Sequence, residues 1–156
     1  MGIVWHYTTV QRLNLIAQSG VIQPSAPTRE RSEKPVVWFS SKPDWDATAN
    51  LVVTTANQTR RHASTDETII VGGGLARIGV SADLAPYDWK HYKKLSGVSP
   101  RRAKAMYDRA TMVGSRPSWW RVSLEAVPRS GWQSVEIWND FEWLADASYL
   151  DAEADA

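Results

Sequence analysis

His6 stands between two aromatic rings in Val4-Trp5-His6-Tyr7-Thr8-Thr9, at the end of the first apolar run and just ahead of a helix start. An imidazole there has two uses. It packs between rings as a hydrogen-bonded core residue, or it meets a ligand, because the unpaired backbone donors of a helix's first turn point to the same place. The other histidines, His62 and His91, share no ligand spacing with it, and the chain holds no cysteine. That composition excludes a thiolate zinc site and a disulfide framework. It makes metal dependence unexpected and favours a reducing, cytoplasmic setting.

The second chemical signal is charge. The formal net charge is +1, yet the signs are segregated along the chain. Between Lys90 and Arg121 the basic residues are Lys90, Lys93, Lys94, Arg101, Arg102, Lys104, Arg109, Arg116 and Arg121, against the single acid Asp108. After Arg129 the acids Glu136, Asp140, Glu142, Asp146, Asp151, Glu153 and Asp155 have no Lys or Arg among them. Such a surface is polarised, and its basic part suits phosphates as well as plain solvent. Nine tryptophans supply rings that either dominate a core or floor a pocket for a flat ligand.

The elements that must position these groups are legible from period and punctuation. Residues 3 to 7 read as a strand. Thr8 with Gln11 forms a capping box, and Val10, Leu13, Ile16 and Ala17 recur at helical spacing until Gly20. The polar stretch SAPTRERSEKP is a loop, Val36 to Ser40 a strand, and SKPDWDATANLVV a turn with a short helix. TTANQTRRHASTDE shows no apolar period and reads as a surface loop; Gly72-Gly73-Gly74 reads as the turn of a hairpin joining strands at 68–71 and 76–80. Ser99-Pro100 opens a helix with Ala103, Met106, Tyr107 and Ala110 along one stripe. Strands follow over 120–126 and 133–138, with NDFEWL as a final one. The fold class is α+β with a largely antiparallel or mixed sheet, as one domain over 1–145, a basic helical insertion at 84–118 and an acidic tail at 146–156. No run approaches the roughly 20 apolar residues of a membrane span, so no membrane association is expected.

Three stretches, in this order, resemble the ADP-ribosyltransferase superfamily in its histidine-type branch. VWHYTTVQRLNLIAQSGVIQP resembles the opening motif, a strand ending in histidine, a Thr or Ser two places on, and a helix closed by glycine; DarT-type toxins carry His-x-Thr there and poly(ADP-ribose) polymerases His-Gly-Ser. VVWFSSKPDWDATANL is similar to the polymerase segment with an aromatic pair, a short turn and a small-residue helix. WQSVEIW resembles the last motif, a glutamate on a late strand followed by apolar and aromatic residues.

The resemblance implies a split sheet of ADP-ribosyltransferase type and NAD as substrate, with no metal. Breaking the nicotinamide–ribose bond develops oxocarbenium-like charge, which a carboxylate stabilises. Glu136 takes that role, with His6 as the second catalytic residue. His6, Tyr7, Thr8, Trp38 and Ser40 hold the cofactor, His6 on the adenosine-side ribose and Trp38 as an aromatic wall. Ser40 and Ser41 also echo the Ser-Thr-Ser strand of the arginine-type branch, and Glu125 is the rival carboxylate. The acceptor is a macromolecule, nucleic acid favoured over protein, held by Lys90, Lys93, Lys94, Arg101, Arg102 and Lys104. Small members of the superfamily are often effectors in conflict between cells, phages and plasmids, and that context is implied by analogy. The rival reading from another class is a non-catalytic module that keeps the fold and binds nucleic acid or a protein partner through the basic region.

Overall fold

The computed structural model describes residues 2–25 and 33–151. The chain opens with β1 (Ile3–Thr9), whose side chains alternate between two covered faces. It turns directly into α1 (Val10–Ser19). Thr9, not Thr8, is the N-cap, its hydroxyl accepting from the Arg12 amide, and Gly20 ends the helix with φ 76°, a left-handed conformation glycine adopts without penalty. Then follow β2 (Val21–Ile22), β3 (Val37–Ser40), a small ribbon of β4 (Val52–Thr54) and β5 (Arg60–His62), α2 (Thr65–Gly72) and β6 (Leu75–Ser81). The helices α3 (Trp89–Leu95) and α4 (Pro100–Met112) precede β7 (Trp120–Ser123), β8 (Val127–Pro128), β9 (Trp132–Trp138) and β10 (Trp143–Ala145).

Among the described residues the architecture is α+β, with four α-helices and a six-stranded sheet in the order β10-β9-β6-β1-β3-β7, every pairing antiparallel. These six strands form one continuous sheet, whereas the resemblance implied a split one; β2–β8 and β4–β5 are separate ribbons. No helix among the described residues is long and apolar enough to cross a membrane.

Two sequence expectations are corrected. The glycine triplet is not a hairpin turn: Thr65–Gly72 is a helix opened by a Ser64/Glu67 capping box and closed at Gly73, φ 75°. The box outweighs the β-leaning Ile69-Ile70-Val71 run because it satisfies two orphan donors at once. The polar 54–67 stretch is also not plain loop, since it carries β5 and the start of α2. Of the acidic tail, residues 152–156 lie outside the described residues, as do residues 26–32 of the first loop.

Strand alternation sorts the interior into two cores. Val4, Phe39, Ile78, Val80 and Val135 face α1 and pack around Leu13. On the other face Val36 and Val122 meet Tyr92, Val98 and Ala103 from the α3–α4 region, with Trp38 and Trp89 against them. The helical insertion is thus docked over the β3–β7 end of the second face. The β1–β6–β9 end of that face carries something different.

Candidate functional site

Tyr7, Arg77 and Glu136 are direct partners in the register of three adjacent strands, so their side chains form one row across the second face. Arg77 is a lone charge in an otherwise apolar strand. Its Nε and Nη2 both donate to Glu136 Oε1, at 2.9 and 2.6 Å, while Ser134 Oγ donates to Oε2 at 3.1 Å. Indoles lie on the guanidinium: its carbon is 3.8 Å from the centroid of Trp5 and 4.5 Å from that of Trp143. Gly79, two residues on, makes room for Trp5, because a Cβ there would stand 2.7 Å from the ring.

The segment 42–45 covers the row. The carbonyls of Lys42, Pro43 and Asp44 accept from Tyr7 Oη, Arg77 Nη1 and Trp143 Nε1 respectively. Trp45 meets the Tyr7 ring edge-on at 5.2 Å. Burial pushes the Tyr7 phenol up to about 12, so it stays a protonated donor at neutral pH. Beneath the next stretch, Asp46 is buried and gathers donors from three parts of the chain. Ser40 Oγ, Ser115 Oγ and Trp120 Nε1 donate to Oδ2 at 2.8, 2.9 and 3.1 Å, and the amide and hydroxyl of Thr48 donate to Oδ1.

The residues expected from sequence divide accordingly. Tyr7 and Glu136 come together. His6 does not join them: it precedes Tyr7 in a strand and so points to the opposite face, edge-on to Phe39 at 5.9 Å. Its Nδ1 meets the Trp38 carbonyl at 2.8 Å, so the neutral ring carries its proton on Nδ1 and leaves Nε2 as an acceptor. Burial lowers the pKa of His6 and favours that neutral form. Trp38 lies on the Glu136 face, but three strand spacings away, about 14 Å. There its ring packs against Tyr92 and Trp120 as core. Ser40 is committed to Asp46, and Thr8 is buried within β1. The expected His6–Trp38–Glu136 cleft is therefore not formed, because alternation and strand order override proximity in motif order.

The basic region also divides. Arg102 Nε donates to the buried Glu33 carboxylate at 3.0 Å, and Glu33 also accepts from Tyr92, so Arg102 braces α4 against the 33–36 segment. Arg121 donates to the carbonyls of Ala85 and Pro86. Both are engaged within the fold, Arg102 through its Nε with its side chain still 25% exposed. Arg101 is exposed on α4. Lys90, Lys93, Lys94 and Lys104 instead line open clefts. One, of about 830 Å³, runs between the start of α3, the second half of α4 and residues 114–119; the other, of about 850 Å³, lies between α3 and the first half of α4. They share Trp89, Lys90 and Tyr107.

Sequence reasoning missed Arg77, Trp5 and Trp143 around Glu136, and Trp89, Tyr107 and Trp119 among the basic residues. A single arginine inside the Leu75–Ser81 strand is the signal that points to a buried carboxylate partner.

Fold and surfaces together define an α+β protein with a basic, aromatic-lined helical face on one side of an antiparallel sheet. Compared with known proteins, the chain matches no protein-family model, no curated protein and no solved structure.

Proposed function

We propose that this chain is a non-catalytic module that holds nucleic acid on its α3–α4 face. The observation that carries this reading is the position of the two adjoining clefts. They lie on the helical insertion and are lined by Lys90, Lys93, Lys94, Lys104 and Arg116 against the carboxylates Asp88 and Asp108. One of those carboxylates is occupied, since Lys104 pairs with Asp108 at 2.6 Å. A groove in which cations outnumber carboxylates concentrates phosphates and releases their counterions on binding. The Glu136 row, by contrast, has its carboxylate bonded by Arg77 and its open side covered by 42–45, which suits a brace better than a reacting group. The test is binding of a labelled oligonucleotide as salt is raised from about 50 to 200 mM. Affinity falls steeply if phosphates are held, and a flat response removes the reading.

A second reading, an NAD-dependent ADP-ribosyltransferase modifying a macromolecule, is favoured by the open acceptor on His6. His6 is half-buried, and among the described residues no hydrogen bond reaches its Nε2. It is an acceptor suited to a ribose hydroxyl. Its test is whether NAD raises the melting temperature, since a ligand of the native state at a hundredfold excess over its dissociation constant stabilises by about 2.7 kcal/mol.

A further inference from the structure

We infer that the strand held on the α3–α4 face is unpaired, with its bases stacked on Trp89, Tyr107 and Trp119; this rests on the nucleic-acid reading above. Phosphate attraction alone does not distinguish a duplex from a single strand, because both present a charged backbone. Exposed ring faces do. A base inside a duplex has its faces covered by its neighbours, whereas an unpaired base offers a face to any flat side chain, whatever the sequence.

The clefts are lined by rings and cations, Tyr107 exposed and Trp89 and Trp119 half-buried. Tyr107 is 52% exposed and lines both clefts, projecting from α4 between them. Trp89 also lines both, and its orientation is fixed from behind: its ring stacks on buried Tyr92, with centroids 5.6 Å apart and planes 20° apart, and meets Trp120 edge-on. A ring held in this way is a preorganised platform, so little side-chain freedom is lost when a base lands on it. Trp119 closes the far end of the first cleft, with Arg116 and Lys42 over its ring at 5.4 and 5.7 Å. Lys93 stands over Trp89 at 5.5 Å. Each indole therefore has a cation over its ring, on a flexible side chain that swings out to a phosphate as a base takes the face.

The charge pattern is what commits the site to a polyanion. An apolar peptide would leave the lysine ammoniums against a surface that offers them nothing, and the chain's own acids on this face are already engaged, Asp108 with Lys104 and Asp88 with His91. The same chemistry serves single-stranded DNA and single-stranded RNA, which the 2′-hydroxyl distinguishes.

The experiment uses the full chain without NAD and fluorescein-labelled strands of about 16 nucleotides: oligo(dT), oligo(U), and a mixed-sequence strand alone or annealed to its complement. Anisotropy at about 50 mM salt should show the single strands binding at least roughly tenfold more tightly than the duplex. Tyr107→Ala truncates a side chain that, unlike its stripe neighbours Ala103 and Met106, stands outside the packed core, and should weaken single-strand binding roughly tenfold while leaving its salt slope unchanged. Replacing Lys90, Lys94 and Arg116 by Gln should lower that slope by about 2, since each single-strand phosphate contact contributes about 0.7. Equal affinity for strand and duplex, or a Tyr107→Ala protein that binds like the parent, overturns the stacking inference while the nucleic-acid reading stands. Binding to anionic phosphatidylserine vesicles or to an acidic peptide, but to no strand, overturns both. Because NAD is absent throughout, a failed NAD shift has no bearing on the result.

Discussion

Arg77 and Glu136 sit opposite one another on β6 and β9 and share a two-point contact to a single carboxylate oxygen, beneath indoles on the arginine and a carbonyl roof from residues 42–45. Their side chains are 10% and 18% exposed, so water screens the pair only weakly. Removing one partner leaves the other charged and largely buried. Arg77→Met should cost about 3–5 kcal/mol of unfolding free energy. The double variant Arg77→Met/Glu136→Leu should cost clearly less than the sum of the two singles. Urea unfolding of all four proteins reads the coupling, and strictly additive losses would deny it.

Glu136 also separates the brace from the enzyme. If it stabilises a developing ribose cation, Glu136→Gln should cut NAD turnover roughly 100-fold or more, while Glu125→Gln leaves it alone. Glu125 is exposed, after the end of β7, which makes it a fair control. If Glu136 is only a brace, the parent chain shows no turnover and the variant differs in stability alone. Measured NAD hydrolysis in the parent decides which holds.

Asp46 should be one of the costliest single positions. Asp46→Ala removes the acceptor of the buried Ser40 and Ser115 hydroxyls and of the Trp120 indole N–H, along with that of Thr48. A loss of about 3 kcal/mol or more is expected, at about 1–3 kcal/mol for each buried donor left unpaired. Asp46→Asn keeps one acceptor oxygen and should fall between. Denaturant midpoints for the three proteins check the order.

Gly79→Ala places a methyl 2.7 Å from the Trp5 ring and 2.5 Å from Ile3, which moves the indole off Arg77. Overpacking of this kind costs about 1–3 kcal/mol. Combined with Trp5→Ala, the same glycine change should cost less, since the ring is gone and only the end of the exposed Ile3 side chain, which can turn aside, still stands in its way. A double-mutant cycle with no recovery would place the strain elsewhere.

Stability should fall as the medium is acidified through the histidine range. The folded pKa of His6 is lowered by burial, so below its unfolded value near 6.5 the unfolded chain takes up a proton that the folded one refuses. The contribution is present above that pH and lost beneath it, at no more than about 1.4 kcal/mol per pH unit. His62, its pKa also lowered by partial burial and by Arg109, acts in the same direction. Unfolding free energies between pH 7.5 and 5 should show a shallower loss in His6→Gln than in the parent, and equal slopes would assign the effect to other groups.

Local rules determined a good part of this protein. The 3.6-residue stripe and the Ser99-Pro100 opening appear as α4, the glycine stop at Gly20 ends α1, and short-range alternation appears in β1 and β9. The segregation of basic residues into 90–121 is likewise a property of the sequence, and most of them line or flank the helical clefts. Alternation alone places His6 and Tyr7 on opposite faces of their strand. What the sequence leaves undetermined is which strand lies beside which: β6, and not β3, stands between β1 and β9, and that order brings Tyr7 and Glu136 into one row through Arg77 while setting Trp38 into a separate core. Non-local pairing is chosen by how whole faces bury against helices and against each other, an energy summed over the fold and not carried by any short stretch. For the same reason Arg102 became a brace for Glu33 while its neighbours on the same helices stayed open to solvent.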